Sequence, residues 1–174
     1  LFISSVYDNN PVIFLEHKYL YKNKKYAQEV PAGIYTIPLG KGEIKRAGKD
    51  ISIVASSYMV QKSLEAAEIL QKEMNIDCEV VDIRTIRPLD IDIILESVKK
   101  TGKLLCVEEA CSFGSFMGEV ITQVTEKAFD FMDAPPLRIA GKDCPVPYSA
   151  ILEQEMLPSI DKIKDGILKV LGKN

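Results

Sequence analysis

From residue 50 onward the chain repeatedly changes its hydrophobic rhythm. Short apolar runs of strand length alternate with longer stretches of helical spacing, and few folds accept that pattern. The clearest unit spans residues 78–109. CEVVDIRTIRPLD (78–90) is an apolar run that leads into Asp82 and Arg84; Pro88 stops it, and Asp90 stands where a helix N-cap belongs. A helix is expected over residues 90–100, with Gly102 as its C-cap. LLCVEE (104–109) is then a second apolar strand that ends in two carboxylates.

The same alternation fills the rest of this region. Residues 51–55 and 79–83 read as strands, and residues 59–74 as a helix whose apolar face holds Val60, Leu64, Ala67, Leu70 and Met74. Residues 116–131 read as a helix stopped by DAPP (133–136), and residues 137–140 as a short last strand. Residues 158–171 close the chain as a helix with Ile160, Ile163, Ile167, Leu168 and Leu171 inward. The pattern predicts an α/β fold in three layers: a mostly parallel five-stranded sheet with helices on both faces. In such sheets, sites are built at the carboxyl ends of the strands.

The first 49 residues differ. Residues 1–7 read as the last turns of a helix, DNNP (8–11) as a turn, and residues 12–15 as a strand. Residues 22–49 carry Lys22, Lys24, Lys25, Pro31, Gly33, Pro38, Gly40, Gly42 and Gly48, too many breakers for a long regular element. Three parts are therefore expected: 1–21, a linker over 22–49, and a domain over 50–174. A chain that opens in the last turns of a helix is expected to be a fragment of a longer protein.

Composition narrows the function. There are 174 residues, 47% hydrophobic and 27% charged, with a net charge of −3. Nucleic acid is not expected as a partner, because the basic residues are dispersed and outnumbered. No apolar run approaches the roughly 20 residues of a membrane span. Cys78, Cys106, Cys111 and Cys144 are widely spaced, which suits reduced thiols better than a disulfide or zinc framework.

Several residues are candidates for chemistry. SFGSFMG (112–118) is a glycine-bearing turn before a helix, and such a turn can cradle an anion. It matches neither phosphate-loop pattern, so tight turning and close packing at Gly114 and Gly118 explain it better. A free-standing nucleotide-binding domain is disfavoured for the same reason. Glu108 and Glu109 cannot act as an acid–base pair, since neighbours on a strand face opposite ways. One is expected to meet a helix terminus or an arginine, the other solvent. His17, the only histidine, is expected to line a junction rather than perform acid–base work. Arg84 and Arg87 are expected to fix their loop by pairing with Asp82 or Asp90, ahead of binding an anion.

The motifs together resemble one family end to end. The 78–109 unit, DNNPVIFLEHKYLY (8–21), YTIPLGK (35–41), AFDFMDAPP (128–136) and GKDCPVPY (141–148) stand in the order found in the transketolase family. The likeness is to its branch of beta subunits from the decarboxylating component of 2-oxo acid dehydrogenase complexes. The resemblance implies that residues 1–21 are the tail of a pyrimidine-binding domain, 22–49 the interdomain linker, and 50–174 the C-terminal domain. It implies thiamine diphosphate and magnesium in the full enzyme, with pyruvate the first expected substrate and acetoin or branched-chain 2-oxo acids as alternatives. EHK (16–18) leans toward acetoin.

The family's catalytic and cofactor residues lie upstream of Leu1. No catalytic, cofactor or metal residue is therefore expected here, and the chain alone is expected to be inactive. Implied partners are an alpha subunit, a second beta subunit, and the subunit-binding domain of the lipoyl acyltransferase core. Asp133 is the residue implied to hold that basic domain. The family also uses a C-terminal carboxylate after a hydrophobic residue, whereas this chain ends LGKN (171–174). At SFGSFMG, Ser115 replaces one of the family's paired glycines. The compartment implied is the cytoplasm, or the mitochondrial matrix in a eukaryote.

Overall fold

Ile51, Ser52, Ile53, Val54 and Ala55 are all fully buried. A strand buried at every position needs cover on both faces, and the fold supplies it. The structure is a computed structural model that describes residues 1–173. Its helices and strands are α1 (Phe2–Tyr7), α2 (Lys18–Lys22), β1 (Glu43–Arg46), β2 (Ile51–Ala55), α3 (Tyr58–Met74), β3 (Cys78–Asp82), α4 (Ile91–Thr101), β4 (Leu104–Cys111), α5 (Phe116–Ala128), β5 (Leu137–Gly141), α6 (Ala150–Met156) and α7 (Ile160–Val170). Short 3-10 turns lie at Lys24–Tyr26 and Phe129–Phe131.

The sheet order is β1-β3-β2-β4-β5. β2 pairs in parallel with β3 and β4, and β4 with β5, while β1 runs antiparallel along β3. Alternation along each strand sorts side chains into two cores. Ile51, Ile53, Leu105 and Val107 meet Met59, Leu70, Ile163 and Ile167 of α3 and α7. Val54, Val81, Leu104 and Cys106 meet Ile94, Val98, Met117, Val120 and Val124 of α4 and α5. Burial, outweighing the nearby Arg46 and Arg138, pushes the Cys78 thiol up to about 12 and the Cys106 thiol higher still. Both remain neutral core residues, as expected from their apolar strands.

Polar groups in this interior are mostly paired. Ser52 on β2 reaches Ser97 at 2.6 Å and Thr101 at 2.7 Å, both on α4. Glu79 on β3 is fully buried; it pairs with Lys100 of α4 and accepts from the Gly48 amide at 3.2 Å. α4 ends where Gly102 turns left-handed (φ 69°), a conformation that costs glycine least, and its N–H bonds the Val98 carbonyl.

The expected three-layer, five-stranded sheet is present, with four corrections in detail. The fifth strand is not downstream of residue 50. It is β1, inside the stretch expected to be a linker, and its sequence EIKR is charged because it lies at the sheet's edge. Residues 12–15 do not form a strand in the sheet. They keep strand alternation, with Val12 and Phe14 39% and 38% exposed against 87% and 78% for Ile13 and Leu15, but no neighbouring strand among the described residues completes a ladder. β4 continues to Cys111, where its polar end pairs with Gly141 of β5. Asp90 occupies the N-cap position without making the capping bond; its carboxylate instead accepts from the Gly42 amide at 3.1 Å and lies 3.5 Å from Lys41.

Candidate functional site

Two edges of the sheet gather polar residues. At the carboxyl edge, alternation along β4 sends Glu108 toward α5 and Glu109 toward α3. Glu108 is only 6% exposed; its Oε2 accepts from the Met117 amide at 3.3 Å, in the first turn of α5. Its Oε1 has no hydrogen-bond partner, and the nearest cation is Arg138 Nε at 4.0 Å. Arg138 also donates to Ser115 at 2.8 Å, and a Cβ on Gly118 would crowd its guanidinium at 2.9 Å. Glu108 thus meets both expected partners, a helix terminus and an arginine.

That arrangement decides what the SFGSFMG turn does. The positive end of α5 already holds an internal carboxylate. A phosphate there would face Glu108 at close range, so the turn is a packing device that makes room for Arg138.

Glu109 does not face solvent alone, which corrects the expectation. It lies 3.1 Å from His17 Nε2. The His17 ring stacks obliquely on Tyr58, the first residue of α3, with centroids 5.2 Å apart, and Tyr19 lies 4.8 Å from the Tyr58 ring. Burial and the neighbouring Tyr19 push the Tyr58 hydroxyl up to about 12. Tyr26 donates to Glu65 at 2.5 Å, and Lys25 pairs with Glu65 at 2.6 Å. His17 therefore lies at a junction, as expected, between the N-terminal segment and the sheet. Nothing in the sequence marked its partner, because 92 residues separate the two.

Arg84 fixes its loop, but its guanidinium partner is Glu43 of β1, not Asp82 or Asp90. Asp82 contributes through the backbone, accepting from the Arg84 amide at 3.0 Å. Arg87 has no ion-pair partner among the described residues, so the expected pairing does not extend to it.

The amino edge is organised differently. An open polar groove of about 820 Å³ runs across the starts of β2, β3 and β4, lined by Asp50, Asp77, Thr101, Lys103, Asp133 and Lys173 among others. The Asp133 amide bonds the Gly102 carbonyl at 2.7 Å. Its carboxylate stays 69% exposed, with Lys103 at 3.4 Å. A Cβ at Gly102 would collide with that carboxylate, so the glycine that ends α4 also seats Asp133. Asn174 lies outside the described residues, and with it the terminal carboxylate.

This sheet order and these elements can be compared with known proteins. Residues 40–163 match the family model of the transketolase C-terminal domain. The chain belongs to that family. As a transketolase C-terminal domain, it is 44% identical over 170 residues to the pyruvate dehydrogenase E1 component subunit beta of Rickettsia felis, covering 98% of this chain and 51% of that one. It is 42% identical over 173 residues to the acetoin:2,6-dichlorophenolindophenol oxidoreductase subunit beta of Bacillus subtilis, covering 99% and 49%. Among solved structures, a split-gene transketolase described as an inactive beta4 tetramer superposes with a TM-score of 0.67 at 26% identity, covering 83% of this chain and 46% of that one. The chain spans about half the length of the curated relatives it matches.

Proposed function

We propose that this chain is the C-terminal portion of the beta subunit of a thiamine-diphosphate-dependent pyruvate dehydrogenase, and that this portion serves assembly. The supporting observation is the 44% identity to a pyruvate dehydrogenase beta subunit across 98% of the chain. Residues 1–21 are then the tail of a pyrimidine-binding domain, the stretch from 22 to about 40 the connection, and the remainder, β1 included, the assembly domain. Its partners are an alpha subunit, a second beta subunit, and the subunit-binding domain of a lipoyl acyltransferase, the last held through Asp133. The setting is the cytoplasm or the mitochondrial matrix. Among the described residues no helix is long and apolar enough to cross a membrane.

In this reading thiamine diphosphate and its magnesium are held outside this chain: Glu108 occupies the first turn of α5, the glycine-bearing helix start that could otherwise cradle a diphosphate. No step of the decarboxylation is therefore assigned to this chain. Calorimetric titration tests the reading. The chain is expected to bind the cognate subunit-binding domain saturably and to give no saturable heat with thiamine diphosphate and magnesium. Cofactor binding tighter than about 10 μM, roughly −7 kcal/mol, overturns the assignment of roles.

A second reading has its own observation, the 42% identity to an acetoin oxidoreductase beta subunit over 99% of the chain. Assembly of the complete subunit with its alpha partner, followed by parallel assays with pyruvate and acetoin, separates the two.

A further inference from the structure

In an open parallel sheet, the crevice that receives a ligand lies beyond the carboxyl ends of the strands, where successive connections leave in opposite directions. Here that place is between β2 and β4. The connection from β2 runs outward to β3, and that from β4 runs the other way to β5. Their helices, α3 and α5, lie on opposite faces of the sheet. The walls of the crevice are Tyr58, just past β2, and Glu109, near the end of β4.

A ring already sits between those walls. His17 Nε2 is 3.1 Å from the Glu109 carboxylate, and the imidazole lies against Tyr58 at 5.2 Å. Its Nδ1 is buried with no hydrogen-bond partner. One charge-assisted bond and one aromatic face hold it, much as a small heterocyclic ligand is held. The other anchors of this segment are Tyr26 and Lys25 on Glu65 and Tyr19 against Tyr58; α1, α2 and the turn at Lys24–Tyr26 contain no buried residue.

We propose that this crevice is a binding site for a planar nitrogen heterocycle, and that the chain fills it with its own imidazole, so that His17 straps residues 12–26 to the α/β body. His17 donates Nε2–H to Glu109, and Tyr58 supplies the platform. The inference is independent of the proposed enzyme, because it rests only on contacts within this chain.

The test uses His17→Ala in the 174-residue chain with free imidazole as the probe. Trypsin should cut after Lys18, Lys22, Lys24 and Lys25 about ten-fold faster in the variant, since cleavage tracks the population of the open segment. Millimolar imidazole should bind the variant saturably in calorimetry and bind wild type about ten-fold more weakly, because His17 already fills the crevice; cleavage of the variant should stay fast, since a free ring carries no segment with it. His17 lies outside both cores, so the far-UV circular dichroism of the variant should match wild type. Glu109→Ala alone should also loosen the segment, and His17→Ala combined with Glu109→Ala should abolish imidazole binding. Unchanged cleavage in both single variants, equal imidazole affinity in wild type, or binding that survives loss of Glu109 would each overturn the proposal.

Discussion

The two ends of the strands treat their acids in opposite ways. At the carboxyl edge, Glu108 is turned inward onto the first turn of α5, Glu109 is matched to His17, and Glu43 is matched to Arg84. At the amino edge, Asp77 pairs with Arg46 and Asp50 accepts from the Asp77 amide, but Asp133 stands mostly in solvent above an open groove, sharing it with Lys103 and Lys173. An edge whose charges are used up inside the molecule cannot offer them to a visitor without loosening itself. An edge with spare charge can change partners at little cost to the fold. The difference puts internally used acids at the carboxyl edge and leaves solvent-facing charge at the amino edge, where the proposed docking through Asp133 falls.

Glu108→Ala should have the largest effect. It removes a buried anionic acceptor from a helix start and leaves a void, and should lower unfolding free energy by about 2–3 kcal/mol in urea denaturation. A loss below about 0.5 kcal/mol, the level of an ordinary surface change, would mean that the carboxyl edge carries no special structural duty. Lys100→Met comes next. It strands the buried Glu79, and about 2 kcal/mol is expected, less than for a fully buried pair because Lys100 is half in water. The same denaturation series reports it.

Glu65 sharpens the comparison through pH. Burial pushes its carboxyl up, but hydrogen bonds from Lys25 and Tyr26 outweigh that and hold it below the ordinary value. A depressed acid stabilises the folded form above its unfolded value and loses that contribution as pH falls through the depressed one. Protection of residues 18–26 from proteolysis should therefore be complete at neutral pH and decline below roughly pH 4. Glu65→Gln should shrink that pH dependence; an unchanged profile would show that another group governs it.

Asp133→Ala should barely move stability, by less than about 0.5 kcal/mol, because its side chain is largely solvated. It should nevertheless weaken docking of the subunit-binding domain by roughly 1–3 kcal/mol in calorimetry. Unchanged affinity would reduce Asp133 to a loop acid and remove the contrast between the edges.

The central parallel strands were legible because burial on both faces gives each a continuous apolar run; Ile51–Ala55 and Cys78–Asp82 are the clear cases. β1 was not legible, because an edge strand needs no such run and EIKR resembles any surface stretch. α6 escaped for a related reason: of its residues only Met156 is buried, so it leaves no hydrophobic stripe. The opposed directions of Glu108 and Glu109 followed from strand geometry alone. The identity of the group facing Glu109 did not, since local periodicity is silent about a contact across most of the chain. Asp90 shows the limit of a cap signal, because a carboxylate at the right position took the Gly42 amide instead.

The three hydroxyls between β2 and α4 form one hydrogen-bonded chain, Ser97–Ser52–Thr101, which ends within 3.1 Å of the Lys103 carbonyl. An axial slip of α4 by one turn would break this chain and leave hydroxyls facing apolar neighbours. α4 is thus keyed to the sheet like a ratchet pawl. Because Gly102 at its end seats Asp133, the acid at the open edge inherits its position from a hydroxyl chain deep in the interior.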